Sequence, residues 1–123
     1  MMKLRSALAI VGVIAAPAAG AAGLEGTWLR GDGNARVRIA PCGDKMCATN
    51  VWVRDSSSGE AVGDRLVMTL SRTGNGTFSG TAFDPKRSLS MSMTITESEG
   101  VLSSRGCLVG RVLCREMNWR AAR

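Results

Sequence analysis

Residues 88–96 read "SLSMSMTIT". Leu89, Met91, Met93 and Ile95 alternate strictly with serine and threonine. Successive side chains of an extended strand point to opposite faces, so this period of two makes one apolar face and one polar face. The stretch predicts a β-strand with a core on one side and water on the other. No segment beyond Leu24 shows a 3.6-residue apolar period, so nothing argues for a helix there.

Working outward, the same grammar repeats. Downstream, "SEG" (98–100) turns the chain into "VLSSRGCL" (101–108), and "VLCREMNWR" (112–120) follows. Upstream, "TFSGTAF" (77–83) and "DRLVMTL" (64–70) are joined by "SRTGNG", a turn-rich stretch. Before them lie the longer loop "DSSSGEAVG" (55–63) and "CATNVWVR" (47–54). "ARVRIAPC" (35–42) sets Val37 and Ile39 on one face and Arg36 and Arg38 on the other, and "GTWLR" (26–30) reaches it through the turn "GDGN". Gly, Asn, Asp and Ser at the breaks are turn formers.

Eight short strands with mostly hairpin-length links make an antiparallel meander. Left open, such a sheet would expose two edges and one apolar face, and closure removes both liabilities. The expected fold is therefore all-β, an eight-stranded barrel whose interior side chains fill or one small ligand occupies. A two-sheet sandwich is the alternative architecture.

Residues 1–22 differ in kind. Lys3 and Arg5 precede an uncharged run from Ser6 to Leu24, with "ALAIVGVIAA" followed by "PAAGAAG". A basic start, a short apolar centre and Ala19-Gly20-Ala21 in the A-x-A pattern predict a secretory signal peptide, cleaved after Ala21 or Ala22. The uncharged run approaches the ~20 residues that span a bilayer, but its second half is Ala, Gly and Pro, which suits a leader better than an anchor. Residues 23–123 then form one domain with no further transmembrane segment, and the protein is expected to be exported, periplasmic or secreted.

Export gives the cysteines their meaning. Cys42, Cys47, Cys107 and Cys114 all lie beyond the leader. An even number in an oxidising compartment predicts two disulfides. Three pairings exist. In 42–47 with 107–114, each bridge flanks a turn and closes a hairpin, which proximity favours. Short loops contribute only about 2 kcal/mol each, whereas a 42–114 link would contribute about 4. The local pairing is preferred. Spacings of C-x4-C and C-x6-C in a chain with no histidine make a zinc site unexpected, and no cofactor is implied.

Composition excludes several chemistries. With no histidine and no tyrosine, Ser-His-Asp and Cys-His arrangements cannot be built, and phenolic acid-base roles vanish. Oxidised cysteines are not nucleophiles. "RGDGNA" (30–35) lacks the Gly-Lys-Ser/Thr ending of a phosphate loop and is read as a turn. The carboxylates, among them Asp32, Asp64, Asp84 and Glu116, lie mostly at turns, and only a facing pair in a cleft would support a glycosidase-like enzyme. No enzyme is expected. Without Lys3 and Arg5, fourteen basic residues oppose ten acidic ones, about +4. They are scattered, so a nucleic-acid partner is not expected either.

The candidate ligand-lining residues are the conspicuous aromatics and methionines, Trp52, Phe83, Met91, Met93 and Trp119. Met supplies an adaptable apolar wall. Arg38, Arg105 and Arg115 sit within strands, and any that faces inward needs a carboxylate partner or an anionic ligand head.

Taken in order, "GTW", "GNARVRIAPCGDKMC", "VWVRD", "FDP" and "GCLVGRVLCREMNW" resemble the DUF2147 family of small exported bacterial proteins, from about Gly26 to Trp119. The resemblance implies a lipocalin-like barrel and ligand binding rather than catalysis. "GTW" is also similar to the G-x-W of lipocalin and avidin-type barrels, which would place Trp28 structurally at the barrel base. The chain departs from the family pattern at Ala48, at "KRSLS" after Asp84-Pro85, and at Phe78-Ser79-Gly80. The expected function is binding of a small apolar or amphipathic ligand. The alternative is an interaction or inhibitor protein that meets an envelope or secreted partner through loops 55–63 and 84–88.

Overall fold

The computed structural model describes residues 23–110 and 113–122. The leader expected at residues 1–22 lies outside them. Eight strands follow one another: β1 (Gly26–Arg30), β2 (Ala35–Cys42), β3 (Lys45–Val53), β4 (Arg65–Gly74), β5 (Thr77–Asp84), β6 (Leu89–Ser98), β7 (Val101–Leu108) and β8 (Cys114–Ala121). Each pairs antiparallel with the next, and β8 returns to β1. The sheet is a closed barrel, not a sandwich.

Closure is made by Trp28 opposite Ala121, Leu29 opposite Arg120 and Arg30 opposite Trp119. Two backbone bonds extend the seam, Gly31 N to Asn118 O at 2.7 Å and Ala122 N to Thr27 O at 2.8 Å. Among the described residues closure leaves no free sheet edge for another chain to pair with.

The two ends differ. At one, β2–β3, β4–β5 and β6–β7 are joined by two-residue turns: Gly43-Asp44, Asn75-Gly76 and Glu99-Gly100. Glu99 and Gly100 both take positive φ, 52° and 81°, the backbone whose twist matches paired strands. At the other end the links are longer, and residues 54–64 form the longest. β4 runs further than the sequence suggests. Ser71 to Gly74, read as turn, stay in the ladder with an irregularity between Arg72 and Gly74, and only Asn75-Gly76 turn.

The tight-turn end is plugged. Leu24 and Phe78 are fully buried there, and Trp28 and Leu102 nearly so. The Trp28 indole N–H donates to Leu24 O at 2.9 Å, and the Arg72 guanidinium lies over the Phe78 ring, 4.8 Å from its centre. The apolar alternation of β6 is realised from Met91 onward: Met93 and Ile95 are buried, Met91 is half-buried and the intervening Ser and Thr face solvent, whereas Leu89 at the strand's open end is 40% exposed.

Both disulfides join hairpin neighbours, Cys42 with Cys47 and Cys107 with Cys114. Cys107 and Cys114 are direct cross-strand partners. Gly106 and Arg115 beside them line the barrel interior, so this bridge lies on the outer wall. It is a staple across the last hairpin.

Candidate functional site

Above the plug the barrel is hollow. A cavity of about 650 Å³ occupies the long-loop half. Its deeper wall is apolar, with Ile39, Leu66, Met68, Met91, Met117 and Trp119. Strand alternation puts these on the inner face, and Gly106 removes a side chain that would otherwise fill the space. A Cβ added at Gly106 would lie 3.4 Å from Met93 Cε and 3.5 Å from Met91 Sδ. The Trp119 ring is held in place by its N–H, which donates to Ser104 Oγ at 3.0 Å.

The rim is charged and ordered. Arg30, at the upper end of β1, donates to Asp32 Oδ1 at 2.9 Å and to Glu60 Oε2 at 2.6 Å. Partial burial opposes the Arg30 charge, but the bonds to Asp32 and Glu60 outweigh it and raise its pKa. The bond from Arg30 holds the Asp32 carboxyl below its ordinary value. Glu60 Oε1 is buried without a partner.

A second cluster faces this one from the β5–β6 link. Lys86 Nζ binds Asp64 Oδ1 at 3.0 Å, and Arg87 binds Asp84 Oδ2 at 3.0 Å and Asp64 Oδ2 at 3.6 Å. The hydrogen bond from Lys86 is the chief cause of a lowered Asp64 pKa. Asp84 is buried, and its Oδ1 also accepts the Lys86 and Arg87 backbone N–H groups at 3.0 and 3.2 Å. Lys86 and Arg87 further donate to Gly59 O at 3.3 and 3.2 Å. The long 54–64 loop is thus strapped from both sides, by Arg30 and by the Lys86-Arg87 pair.

The expected lining residues divide. Met91 and Trp119 lie in the cavity wall. Met93 is buried in the core cluster, packed beside Gly106 rather than open to the cavity. Trp52 and Phe83 stand on the outside, which corrects the expectation that they line the interior. Phe83 shares its face with Thr77, Ser79 and Thr81, whereas Phe78, Ala82 and Asp84 are the buried set of β5.

Trp52 is turned out by a bulge. Arg36 pairs with Trp52 and the next residue, Val37, with Asn50, so Val51 is an extra residue in β3. The extra residue reverses the alternation, and Trp52 stacks under outward Arg36, 5.0 Å from guanidinium to ring centre.

The strand arginines also separate. Arg38 is exposed on the outer wall, and Arg105 pairs with Glu116 across the outside of β7–β8 at 2.6 Å. Arg115 lines the cavity. Sequence reasoning passed over Arg30 and Glu60. Among the described residues no three His, Cys, Asp or Glu side chains are grouped to hold a metal ion, and no helix is long and apolar enough to cross a membrane.

A closed eight-stranded meander, plugged at one end and hollow under a charged rim at the other, defines a small cavity-bearing β-barrel protein. The family described as an uncharacterized protein conserved in bacteria (DUF2147) matches residues 26–121, and the chain belongs to that family. No curated protein and no solved structure matches the chain. The two disulfides are consistent with an exported protein, and the family is bacterial.

Proposed function

We propose that this protein is exported by its N-terminal leader and holds one small apolar or amphipathic molecule inside its barrel. The observation that carries this reading is the cavity itself. At about 650 Å³, with an apolar floor and a polar mouth, it has the size and zoning of a ligand pocket, commonly ~300–1,000 Å³. A barrel serving only as a rigid scaffold would gain stability by filling that space.

The carboxylates at the rim favour binding over catalysis. A glycosidase acid needs a raised pKa. Asp32 and Asp64 are instead held ionised by Arg30 and Lys86, and Glu60 and Asp84 are engaged by Arg30 and Arg87.

Native mass spectrometry of the mature protein, purified gently from its exported compartment, tests the reading. We expect a chain beginning at Ala22 or Gly23, four hydrogens lighter than the reduced form, with a reproducible added small-molecule mass. A bare protein that also ignores a panel of lipophilic probes would overturn the ligand reading. It would favour the alternative of a protein partner docked at the rim. That alternative has its own support: the loops at 55–63 and 84–88 meet there through Gly59, and Val62 beside them is 65% exposed.

A further inference from the structure

We infer that the cavity takes an amphiphile with an anionic head, and that Arg115 is the residue that receives it. This rests on the ligand-binding reading above and names the class of ligand.

The charged side chains around the mouth are mostly paired with one another. Four carboxylates line the cavity: Asp32, Glu60, Asp64 and Asp84. Every one is engaged, the first two by Arg30 and the last two by Lys86 and Arg87. Glu116, the nearest acid to Arg115 in sequence, belongs to the outer wall and is held by Arg105. Among the described residues the Arg115 guanidinium meets no carboxylate, although it stands in the cavity wall. Arg65, the other lining arginine without such a partner, neighbours inward Leu66 on β4 and so alternates toward the outer face, which leaves Arg115 as the arginine over the apolar wall with no carboxylate of its own.

Its position suits a head group. Arg115 pairs directly with Gly106 across the β7–β8 ladder, and Gly106 offers no side chain to cover it. Beyond Gly106 lie Met91 and Met93, and on its own strand Met117 and Trp119 follow Arg115 down the inner face. A molecule with its charge at Arg115 would lay its tail along this methionine and tryptophan wall. A guanidinium receives carboxylate or phosphate through paired N–H donors, so the shared chemistry is a planar or tetrahedral oxyanion on an apolar chain.

Calorimetric titration of the mature protein at neutral pH with ligands of one tail and different heads separates the cases. Dodecanoate and dodecyl phosphate carry the anionic head, dodecanol is neutral, and dodecylamine is cationic. We expect the anionic ligands to bind best, their relative affinity showing which oxyanion the site prefers. In Arg115→Gln their affinity should fall by roughly tenfold or more, the loss typical of a charge-assisted hydrogen bond, while dodecanol binding should be unchanged. Arg105→Gln, on the outer wall, should leave all four ligands unaffected. An unchanged melting temperature would show that Arg115→Gln still folds, as expected for an exposed side chain without partners.

Equal affinity for dodecanoate and dodecanol, or anionic binding that survives Arg115→Gln, would overturn the anionic-head assignment and leave the ligand reading standing. A preference for dodecylamine would also overturn it, pointing to the unpartnered oxygen of Glu60. Binding of none of the four would remove both readings together.

Discussion

Trp28 shows how one side chain can close an end of the barrel. It is 5% exposed, and its N–H satisfies the carbonyl of Leu24, which sits fully buried beneath it. Trp28→Ala would remove a large core side chain and leave that carbonyl unpaired. We expect a loss of about 3–5 kcal/mol in denaturant unfolding, against about 1–3 for Trp28→Phe, which keeps the ring and loses the bond. The rim behaves differently because it is held by ion pairs rather than by apolar packing. Asp32 and Asp64 have pKa values lowered from 3.8 by Arg30 and Lys86. A carboxylate lowered on folding stabilises the native state fully above its unfolded pKa and loses that contribution as pH falls through the folded one. The Lys86–Asp64 side of the loop's strapping should therefore loosen only in acid below about 3.8, while the barrel core persists. NMR would show it as a shift of the Ala61 amide, which donates to Asp64 Oδ2 at 3.1 Å, with the Met93 amide unmoved; equal movement of both would contradict this. At this scale the sequence was partly legible. The position of Trp28 followed from its motif, and Phe83 could have been placed outside by its alternation with Thr77, Ser79 and Thr81. The reversal of Trp52 could not, because the bulge at Val51 depends on how β2 and β3 register.

The strands were legible because each must satisfy one core and one solvent, and alternation records that demand directly. What alternation does not record is how sharply a strand bends. Gly80 on β5 comes so close to the Thr69 carbonyl of β4 that an added Cβ would collide with it. Since the obstacle is backbone, the ladder itself would have to part. Gly80→Ala is expected to destabilise by at least the ~1–3 kcal/mol typical of overpacking, read as a lower denaturant midpoint, with Gly74→Ala, where an added Cβ would lie 3.7 Å from Thr77 Cβ, as the milder comparison. The last hairpin illustrates the opposite case, a covalent link added to an element already well paired. Seven residue pairs join β7 to β8, and the bridge ends that ladder. Replacing Cys107 and Cys114 together with serine should cost about 2 kcal/mol, the value for a short closed loop. The barrel should survive, with its far-ultraviolet spectrum intact and its thermal midpoint lowered. Collapse of the double variant would show that the bridge, rather than the ladder, holds the seam.

At the scale of the whole molecule, closure was legible and hollowness was not. Eight strands without a helix leave few ways to cover an apolar face, so the barrel follows from the strand count. Whether the barrel is full depends on summed side-chain volume at positions from seven or eight strands, and a single glycine decides much of it. Gly106 sits where a larger residue would enter the cavity, between Arg115 on one side and Met91 and Met93 on the other. This gives a test of location independent of head-group chemistry. Gly106→Ala adds a methyl group at ordinary contact distance from the methionines and should leave both fold and binding nearly unchanged. Gly106→Leu must send its branch into the cavity, replacing ligand volume with protein volume. A ligand at a hundred times its dissociation constant stabilises the native state by about 2.7 kcal/mol, or roughly ten degrees of melting temperature for a domain of this size. We expect that shift in the parent and in Gly106→Ala, and its disappearance in Gly106→Leu without loss of cooperative unfolding. A shift that persists in Gly106→Leu would place the ligand outside the barrel, on the rim loops, and the hollow half would then need another explanation.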